Sequence, residues 1–252
     1  MEAPTSSVEK AVDLLFHLHA AEGPQGVTDL GRSLGIPKSS AHRMLQSLSR
    51  RGLVERDERG KYRPGFALLA LGLGILDREP LAVAARPILE EQAADLGETF
   101  FLVVARARRL VVLDKAEGTG FLRASPRVGT RVPVHATAAG KLYLAFDPGA
   151  LAPVEFSKAD VFTKRTLVCA EDLASAVAET RSRGWASNRD EWIQGLSVLA
   201  APVRSNGTLL GAVALAAASA RLEELGGDAL AKRVISTGEA IAGRVGLTRG
   251  RP

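Results

Sequence analysis

The sequence predicts an α+β protein of two domains, an N-terminal winged helix-turn-helix and a larger C-terminal domain in which helices flank an antiparallel sheet. Three observations support this prediction. Residues 28–63 contain two short helix patterns and a basic hairpin in close succession. Helix and strand patterns alternate from residue 80 onward. The chain has 252 residues, 46% of them hydrophobic, which favours two domains and suffices for a core in each.

The first helix is predicted to begin after Ser6, because Ser6 and Glu9 have the spacing of a capping box. Its apolar face comprises Val8, Ala11, Val12, Leu15 and Leu18. A shorter second helix is predicted over Leu30–Leu34, with Thr28 and Asp29 as its cap. These two helices are expected to support the third.

The third helix is predicted between Pro37, whose fixed φ and missing N–H are tolerated in a first turn, and Gly52. One apolar stripe follows the i, i+3, i+4, i+7 spacing and consists of Ala41, Met44, Leu45 and Leu48. A helix with one buried face and donors on the other can lie in a major groove of DNA. The candidates for DNA contact on this helix are Lys38, Ser39, Ser40, His42, Arg43 and Gln46.

A wing is predicted directly after this helix. Leu53–Arg56 and Lys61–Pro64 have the pattern of two strands around the turn at residues 57–60. The wing carries four basic residues, Arg56, Arg59, Lys61 and Arg63. Arg59 and Lys61 are the candidates for contacts with the DNA backbone.

Charge is concentrated on this segment. Between Arg32 and Arg63 there are nine basic and three acidic residues, a net charge of +6, whereas the whole chain carries only +5. The remainder is therefore close to neutral, and the positive field lies where the pattern predicts a DNA-binding module. A solvated basic face on an ordinary helical domain is the alternative interpretation of the charge alone. The helix-turn-helix spacing favours double-stranded DNA as a partner.

The segment Phe66–Leu76, with the sequence FALLALGLGIL, is more apolar than a surface linker should be. Its two glycines weaken its helix propensity, so both a strand and a buried helix are compatible with the pattern. Because it leads from the wing into the second domain, we favour a connecting helix that packs against its copy in a dimer.

The second domain is predicted from the same periodicities. Leu81–Leu96 has the pattern of a helix that ends at Gly97. Its expected apolar positions are Val83, Ala84, Pro87, Ile88 and Leu96. Strands are expected over 99–105 and 110–115, helices over 136–146, 171–183 and 230–245, and a hairpin over 196–204 and 208–216. Asn206-Gly207 is a strong turn signal for that hairpin.

Several classes of protein are disfavoured. Cys169 is the only cysteine, which excludes an internal disulfide and a multi-cysteine metal site. The sequence contains no nucleophile elbow, phosphate-binding loop or zinc-protease motif. His17 and His19 fall on different faces of a helix, which argues against a shared metal. We therefore expect no catalytic residues, no metal and no cofactor.

The chain opens without the charged and apolar pattern of a signal peptide. Its longest weakly polar run, Leu209–Ala220, spans twelve residues, whereas a membrane helix needs about 20. We expect a cytoplasmic protein with no membrane partner.

With both halves considered, the chain resembles an IclR-type transcriptional regulator over nearly its full length. The matching segments are SSVEKAVDLL at 6–15, LGIPKSSAHRMLQSL at 34–48, GLVERDERGKYRPG at 52–65, VGTRVPVHATAAGK at 128–141 and GLSVLAAPV at 195–203. The resemblance implies a winged helix for DNA, a linker helix that helps to dimerise and a GAF-like C-terminal domain that binds a small metabolite, usually an organic acid. It also implies a homodimer or a homotetramer, and domains at 1–65, 66–79 and 80–252.

The family's effector pocket maps onto nine positions of this sequence, Phe121, Ala124, Ala138, Ala139, Asn188, Leu196, Val198, Ala214 and Ala216. There is also a physical reason to expect an acid near Ala138 and Ala139. They open a predicted helix, whose free N–H groups and positive dipole end suit a carboxylate. An Ala-Ala-Gly helix start is often only a close-packing device, and His135 before it is more often structural than a metal ligand or base.

Two other functions compete with this interpretation of the sequence. A GAF-type redox enzyme fused to a DNA-binding module would need a nucleophilic and a resolving cysteine, and the chain has one cysteine. An architectural DNA-binding protein without a ligand is disfavoured by the size of the second domain. A measurement of whether a ligand changes operator affinity distinguishes these two functions from a ligand-controlled transcriptional regulator.

Overall fold

A computed structural model describes residues 6–120 and 126–249, and the chain divides into two compact units, Met1–Arg78 and Glu79–Pro252. The elements of the first unit are the helices α1 (Ser7–Ala20), α2 (Val27–Ser33) and α3 (Lys38–Arg50), the strands β1 (Val54–Arg56) and β2 (Tyr62–Pro64), and the helix α4 (Phe66–Leu76). This is the order of a winged helix-turn-helix followed by one further helix, as the sequence predicts.

Helix α1 begins with the predicted capping box. The Glu9 N–H donates to Ser6 Oγ at 3.2 Å, and the Ser6 N–H donates to Glu9 Oε2 at 2.6 Å. The predicted apolar face is wrong in part, because Val8 and Val12 are exposed while Leu14 is completely buried. The core of this unit meets the last two turns of α1, so the face that points inward is centred on Leu14 and Leu18.

Helix α2 begins earlier than predicted, at Val27 after the N-cap residue Gly26, so the predicted cap at Thr28 and Asp29 is wrong. Pro37 is the N-cap residue of α3 rather than its first helical residue. The predicted stripe of α3 is confirmed, because Ala41 and Leu45 are fully buried and Met44 and Leu48 pack against the same core.

The predicted wing is confirmed. Strands β1 and β2 pair antiparallel, and Asp57 closes the turn by accepting the Lys61 N–H on Oδ1 at 2.7 Å. Gly60 has φ +78°, in the left-handed region that favours glycine. The wing is tied to the segment before α2, because Tyr62 and Gln25 exchange two backbone hydrogen bonds of 2.8 Å.

The segment Phe66–Leu76 is helical, as favoured from the sequence. The described part of the chain buries no residue of α4, although the side chains of this helix are apolar. Its N terminus is held by the wing, since the Phe66 N–H donates to Glu55 Oε1 at 3.1 Å.

The second unit contains the following elements: α5 (Pro80–Leu96), β3 (Thr99–Arg106), β4 (Arg109–Ala116), β5 (Arg131–Val132), α6 (Ala138–Phe146), α7 (Ala170–Arg183), β6 (Ala186–Arg189), β7 (Leu196–Ser205), β8 (Thr208–Ala218), α8 (Ser219–Leu225) and α9 (Gly227–Arg249). The strands form one antiparallel sheet in the order β5-β4-β3-β8-β7-β6. The strands β5 and β6 and the helix α8 were not predicted, because each is short.

The sheet has two apolar faces, and alternate residues of each strand serve one or the other. On β3, Phe100 and Leu102 belong to the core shared with α5 and α9, whereas Phe101 and Val103 belong to the core shared with α6. The alternation on β8 is the same, with Leu215 on the first face and Ala216 on the second. This second face carries the site described below.

Helix α5 ends at Gly97, which has φ +77° and is the C-cap predicted from the sequence. The predicted apolar face is shifted, because Val83 and Pro87 are exposed while Ala85 and Leu89 are fully buried. Alanines allow α5 to lie close to the sheet, so small residues rather than the larger Val83 define its inner face.

Candidate functional site

A cavity of about 390 Å³ opens on the second face of the sheet, between the sheet and the start of α6. Its volume is within the range of small-molecule sites, about 300–1,000 Å³. The residues that line it are Phe101, Val103, Pro126, Val132, Thr137, Ala138, Ala139, Asn188, Trp192, Ile193, Gln194, Leu196, Val198 and Ala216. The lining residues that the structure describes are uncharged, and most are apolar.

The start of α6 provides two backbone donors. Thr137 is the N-cap residue, and its Oγ1 accepts the Gly140 N–H at 3.1 Å while donating to Pro133 O at 2.6 Å. Among the described residues, no acceptor meets the N–H groups of Ala138 and Ala139. Both residues line the cavity, so these donors can serve a ligand.

Close packing explains the glycine of this helix start. A Cβ on Gly140 would lie 1.9 Å from Val134 O, which is too close for any side chain. Gly140 is thus required for packing, and the two alanines before it, Ala138 and Ala139, line the cavity. The structural and the functional interpretations of this segment are compatible.

Asn188 of β6 is the most polar buried side chain of the lining. It is 4% exposed, and its Nδ2 donates to Ala136 O at 2.7 Å. Because a carbonyl oxygen can only accept, this bond fixes which end of the amide faces Ala136. The Oδ1 atom is buried and has no hydrogen-bond partner among the residues that the structure describes.

The loop after β6 forms the outer wall of the cavity through Trp192, Ile193 and Gln194. A buried ion pair holds its beginning, since Lys141 Nζ of α6 lies 2.6 Å from Glu191 Oε1. Two threonines hold the same stretch of backbone from outside: Thr163 Oγ1 donates to Asp190 O at 2.6 Å and Thr166 Oγ1 donates to Glu191 O at 2.7 Å. The wall is therefore fixed by the fold.

Six of the nine predicted effector positions line the cavity, namely Ala138, Ala139, Asn188, Leu196, Val198 and Ala216. Ala214 is fully buried in the same core, opposite Phe101 in the strand pairing, and does not line the cavity. Phe121 and Ala124 lie outside the described residues. The sequence prediction missed Trp192 and Phe101. Of these two, only Phe101 could have been found from the sequence, through the alternation of residues along the predicted strand β3.

The other candidate site lies on α3 and the wing. Lys38, Ser39, Arg43 and Gln46 are exposed, whereas Ser40 and His42 are half-buried, and Arg59 and Lys61 are exposed on the wing. Within the described ranges, the side chains of Lys38, Arg43, Arg59 and Lys61 make no ion pair. These cations are available for phosphates or bases.

The other two basic residues of the wing are engaged within it. Arg63 forms an ion pair with Glu55 at 3.0 Å, and Arg56 Nε donates to Gly60 O at 3.2 Å. The cationic residues of the wing thus divide into two that shape it, Arg56 and Arg63, and two that are free, Arg59 and Lys61.

In the described part of the chain, no three His, Cys, Asp or Glu side chains are grouped so as to hold a metal ion. None of its helices is long and apolar enough to cross a membrane. His135 is buried, stacks on Phe162 and makes a 3.0 Å hydrogen bond between Nε2 and Asp160 O, which fits the structural role that is usual for such a histidine.

The comparison with protein families agrees with both halves of the structure. Residues 7–58 match the IclR helix-turn-helix domain, and residues 73–243 match the C-terminal domain of the bacterial transcriptional regulator IclR. The chain belongs to the IclR family of transcriptional regulators. The resemblance seen in the sequence is confirmed.

Two similar curated proteins are regulators and extend over most of this IclR-family chain. The HTH-type transcriptional regulator XynR of Escherichia coli is 32% identical over 222 residues, which are 86% of this chain and 88% of that protein. The glycerol operon regulatory protein of Streptomyces coelicolor is 33% identical over 219 residues, 86% of each chain. These relatives regulate transcription and are not enzymes.

The fold of this IclR-family regulator is shared with solved structures. The IclR homolog of Microbacterium hydrocarbonoxydans, determined as a complex with 4-hydroxybenzoate, has a TM-score of 0.82 at 22% identity and covers 96% of this chain and 100% of its own. At this identity the likeness shows the fold, an N-terminal helix-turn-helix domain and a C-terminal antiparallel sheet with helices.

Proposed function

We propose that this protein is a dimeric transcriptional regulator whose affinity for operator DNA is controlled by a small organic acid bound in the C-terminal unit. The observation that carries the proposal is the cavity, which combines apolar walls with the unpaired N–H groups of Ala138 and Ala139. The same chain contains a winged helix with free cationic side chains. We assign DNA binding to residues 1–65, the connection to 66–79 and effector binding, in a GAF-like domain, to 80–252.

The DNA contacts are assigned from exposure and from the absence of competing partners. Ser39, Arg43 and Gln46 lie exposed on α3 and can reach base edges or adjacent phosphates in a major groove. Lys38, Arg59 and Lys61 are then available for the DNA backbone. Ser40 and His42 are half-buried, so they approach DNA only at the margins of the helix face.

The acid is assigned from the chemistry of the cavity. Its described lining contains no lysine or arginine, so a carboxylate would rest on the N–H groups of Ala138 and Ala139. Phe101, Leu196 and Val198 would pack against an apolar body. The 4-hydroxybenzoate of the Microbacterium protein is an acid with such a body, which supports the proposal.

The dimer is assigned from exposed apolar surface within the first unit. An apolar groove of about 820 Å³ lies between α1 and α4, and Val12, Phe16 and Leu69 contribute to it. An apolar surface of this kind usually marks an interaction site. A second copy of the chain is the partner that also explains how two helix-turn-helix units would bind two half-sites of an operator.

The experiment that tests the proposal uses the full-length protein. Its operator is first selected from random duplex DNA, and a library of small carboxylic acids is screened for a rise in melting temperature, since a ligand of the folded state must stabilise it. We expect at least one acid to change operator affinity, and Ala139→Leu, which fills the cavity, to abolish that response. Stable binding to DNA with no response to any acid would leave a ligand-independent DNA-binding protein as the better description.

A further inference from the structure

A second cavity, of about 400 Å³, lies in the C-terminal unit near the end of α5. The residues that line it are 96–98, between α5 and β3, residues 119 and 120, after β4, and Ala218 and Arg221, at the end of β8 and in α8. Its volume is within the range of small-molecule sites, about 300–1,000 Å³. Among the described residues it shares no lining residue with the cavity at α6, so the two are separate spaces.

Glu98 brings a buried carboxylate to this second cavity. The residue is only 8% exposed. Gly120, which also lines the cavity, donates its N–H to Gly97 O at 2.9 Å. A Cβ on Gly120 would lie 3.7 Å from Glu98 Oε2, so any side chain at this position would contact the carboxylate. The glycine therefore leaves space beside Oε2.

The Glu98 carboxylate is incompletely paired. Arg221 Nε lies 3.4 Å from Oε1, and within the described ranges no other donor meets this carboxylate. Burial raises the pKa of the Glu98 carboxyl, against the opposing effect of Arg221. Since an ionised carboxylate has about four lone-pair sites for hydrogen bonds, Oε2 can accept from a further donor.

Arg221 supplies a donor next to this acceptor. Its Nε faces Glu98, and its Nη1 donates to Glu224 Oε2 at 3.3 Å. Its Nη2 makes no hydrogen bond to a residue that the structure describes. Because the guanidinium and the Glu98 carboxylate are in contact, the available acceptor and the available donor lie close together. A ligand with a cationic and an anionic group on one carbon matches this arrangement.

We propose that this second cavity binds a free α-amino acid, with its ammonium group on Glu98 and its carboxylate on Arg221. The ammonium donates to Glu98 Oε2, and the carboxylate accepts from Arg221 Nη2. Leu96 and Ala218 line the same space and favour an aliphatic side chain. A simple amine or a simple acid would make only one of the two ion pairs. The site is separate from the proposed effector cavity and does not depend on it.

The test measures the binding of matched compounds to the full-length protein by calorimetry. The probes are L-leucine and L-alanine. For leucine, 3-methylbutylamine lacks the carboxylate and 4-methylpentanoate lacks the ammonium group; for alanine, the corresponding compounds are ethylamine and propanoate. We expect at least one of the two amino acids to bind about tenfold or more tightly than both of its analogues, because loss of one partner of a charge pair costs affinity.

The variant Glu98→Gln removes the charge and keeps the size of the side chain. We expect it to lower the affinity for the amino acid about tenfold or more. Glu90→Gln, at an exposed glutamate of α5, is the matched control and should bind as the parent does. Ala139→Leu, which fills the cavity at α6, should also leave amino-acid binding unchanged. Melting temperatures check folding, and if Glu98→Gln does not fold, the comparison of compounds on the parent protein still decides the question.

Three outcomes would overturn the inference. Absence of binding of both amino acids at about 10 mM would exclude this class of ligand. Binding of the amines as tight as that of the amino acids would replace the amino acid with a simple ammonium ion. Amino-acid binding that survives in Glu98→Gln and disappears in Ala139→Leu would move the ligand to the cavity at α6. The acid screen of the proposed function is decided separately, by its effect on operator affinity.

Discussion

Lys141 Nζ lies 2.6 Å from Glu191 Oε1, and both side chains are about nine-tenths buried or more. This ion pair joins α6, whose start provides the donors of the cavity, to the loop that provides its outer wall. The Lys141 ammonium also donates to Ser187 O at 3.0 Å. The pair thus connects the two walls between which a ligand would bind.

We expect Lys141→Met to lower the free energy of unfolding by about 3–5 kcal/mol, because it leaves the buried Glu191 carboxylate without its cation. The double variant Lys141→Met with Glu191→Leu should recover most of that loss, since an apolar pair leaves no unpaired charge. Urea denaturation measures both. The matched control is Lys158→Met, because Lys158 and Glu155 are also 2.6 Å apart but exposed.

The second prediction concerns base recognition. Arg43→Ala should cost about 1–3 kcal/mol of operator affinity and reduce discrimination between operator and random DNA. Lys61→Ala should weaken all sequences similarly and reduce the slope of log affinity against log salt by about one. Fluorescence anisotropy over a salt series measures both effects.

Arg63→Ala is the control for this experiment, because Arg63 is paired with Glu55 inside the wing. It should leave the salt slope closer to that of the parent than Lys61→Ala does. Parental operator affinity in Arg43→Ala would show that another face of α3 enters the groove.

The third prediction concerns the oligomer. Leu69 and Leu73 of α4 are about half exposed within the chain, 52% and 46%. Replacing both with Glu should convert the dimer to monomers and abolish operator binding, because charges would be buried in the proposed interface. Light scattering measures the mass.

A matched variant carries Glu at Val161 and Val168, two exposed apolar residues of the second unit. It should remain a dimer. If it dissociates while the α4 variant does not, the dimer forms through the second unit instead.

The fourth prediction concerns pH. Burial raises the pKa of the Glu98 carboxyl above its ordinary value, against the opposing effect of Arg221. Because the folded pKa is higher than the unfolded one, the folded state binds the proton more tightly. The ionised carboxylate therefore lowers the free energy of unfolding. This loss is absent at a pH below the ordinary pKa of glutamate, and it grows as pH rises through the higher pKa of the folded state.

Glu98→Gln removes this titration. The stability of the variant relative to the parent should increase between pH 4 and pH 7, as measured by denaturant unfolding at each pH. Glu90→Gln, at an exposed glutamate of α5 that does not contact Arg221, is the control and should show a smaller change. A constant difference between Glu98→Gln and the parent over this range would contradict the prediction.

Local chemistry allowed much of the fold to be predicted. The Ser6 and Glu9 capping box, the turn that ends at Gly60 and the Asn206-Gly207 hairpin each depend on residues a few positions apart. Because such contacts join residues that are close in sequence, a short motif is enough to predict them. The winged helix and the central hairpin were therefore predicted with nearly correct bounds.

The faces of helices were predicted less well. Periodicity alone suggested that Val8 and Val12 are buried and that Val83 faces the core, and all three are exposed within the chain. The periodicity of apolar residues shows which side of a helix is apolar. The elements that pack against the helix determine which residues of that side are buried. In the part of the chain that the structure describes, apolar side chains of α1 and α4 such as Val8, Phe16, Phe66 and Ile75 remain exposed.

The cavity was predicted in part, through the family resemblance and through the helix start at Ala138. Its polar end depends on Asn188 meeting the carbonyl of Ala136, 52 positions away, and its outer wall depends on Lys141 meeting Glu191, 50 positions away. Neither pairing has a periodic signal. The sequence by itself determined the elements and the family, because these follow from short-range hydrogen bonds, turn geometry and motif. Only the tertiary structure decided which acceptor is left unpaired and which side chains enclose it, because burial and pairing between distant residues exist only once the sheet and α6 have packed together.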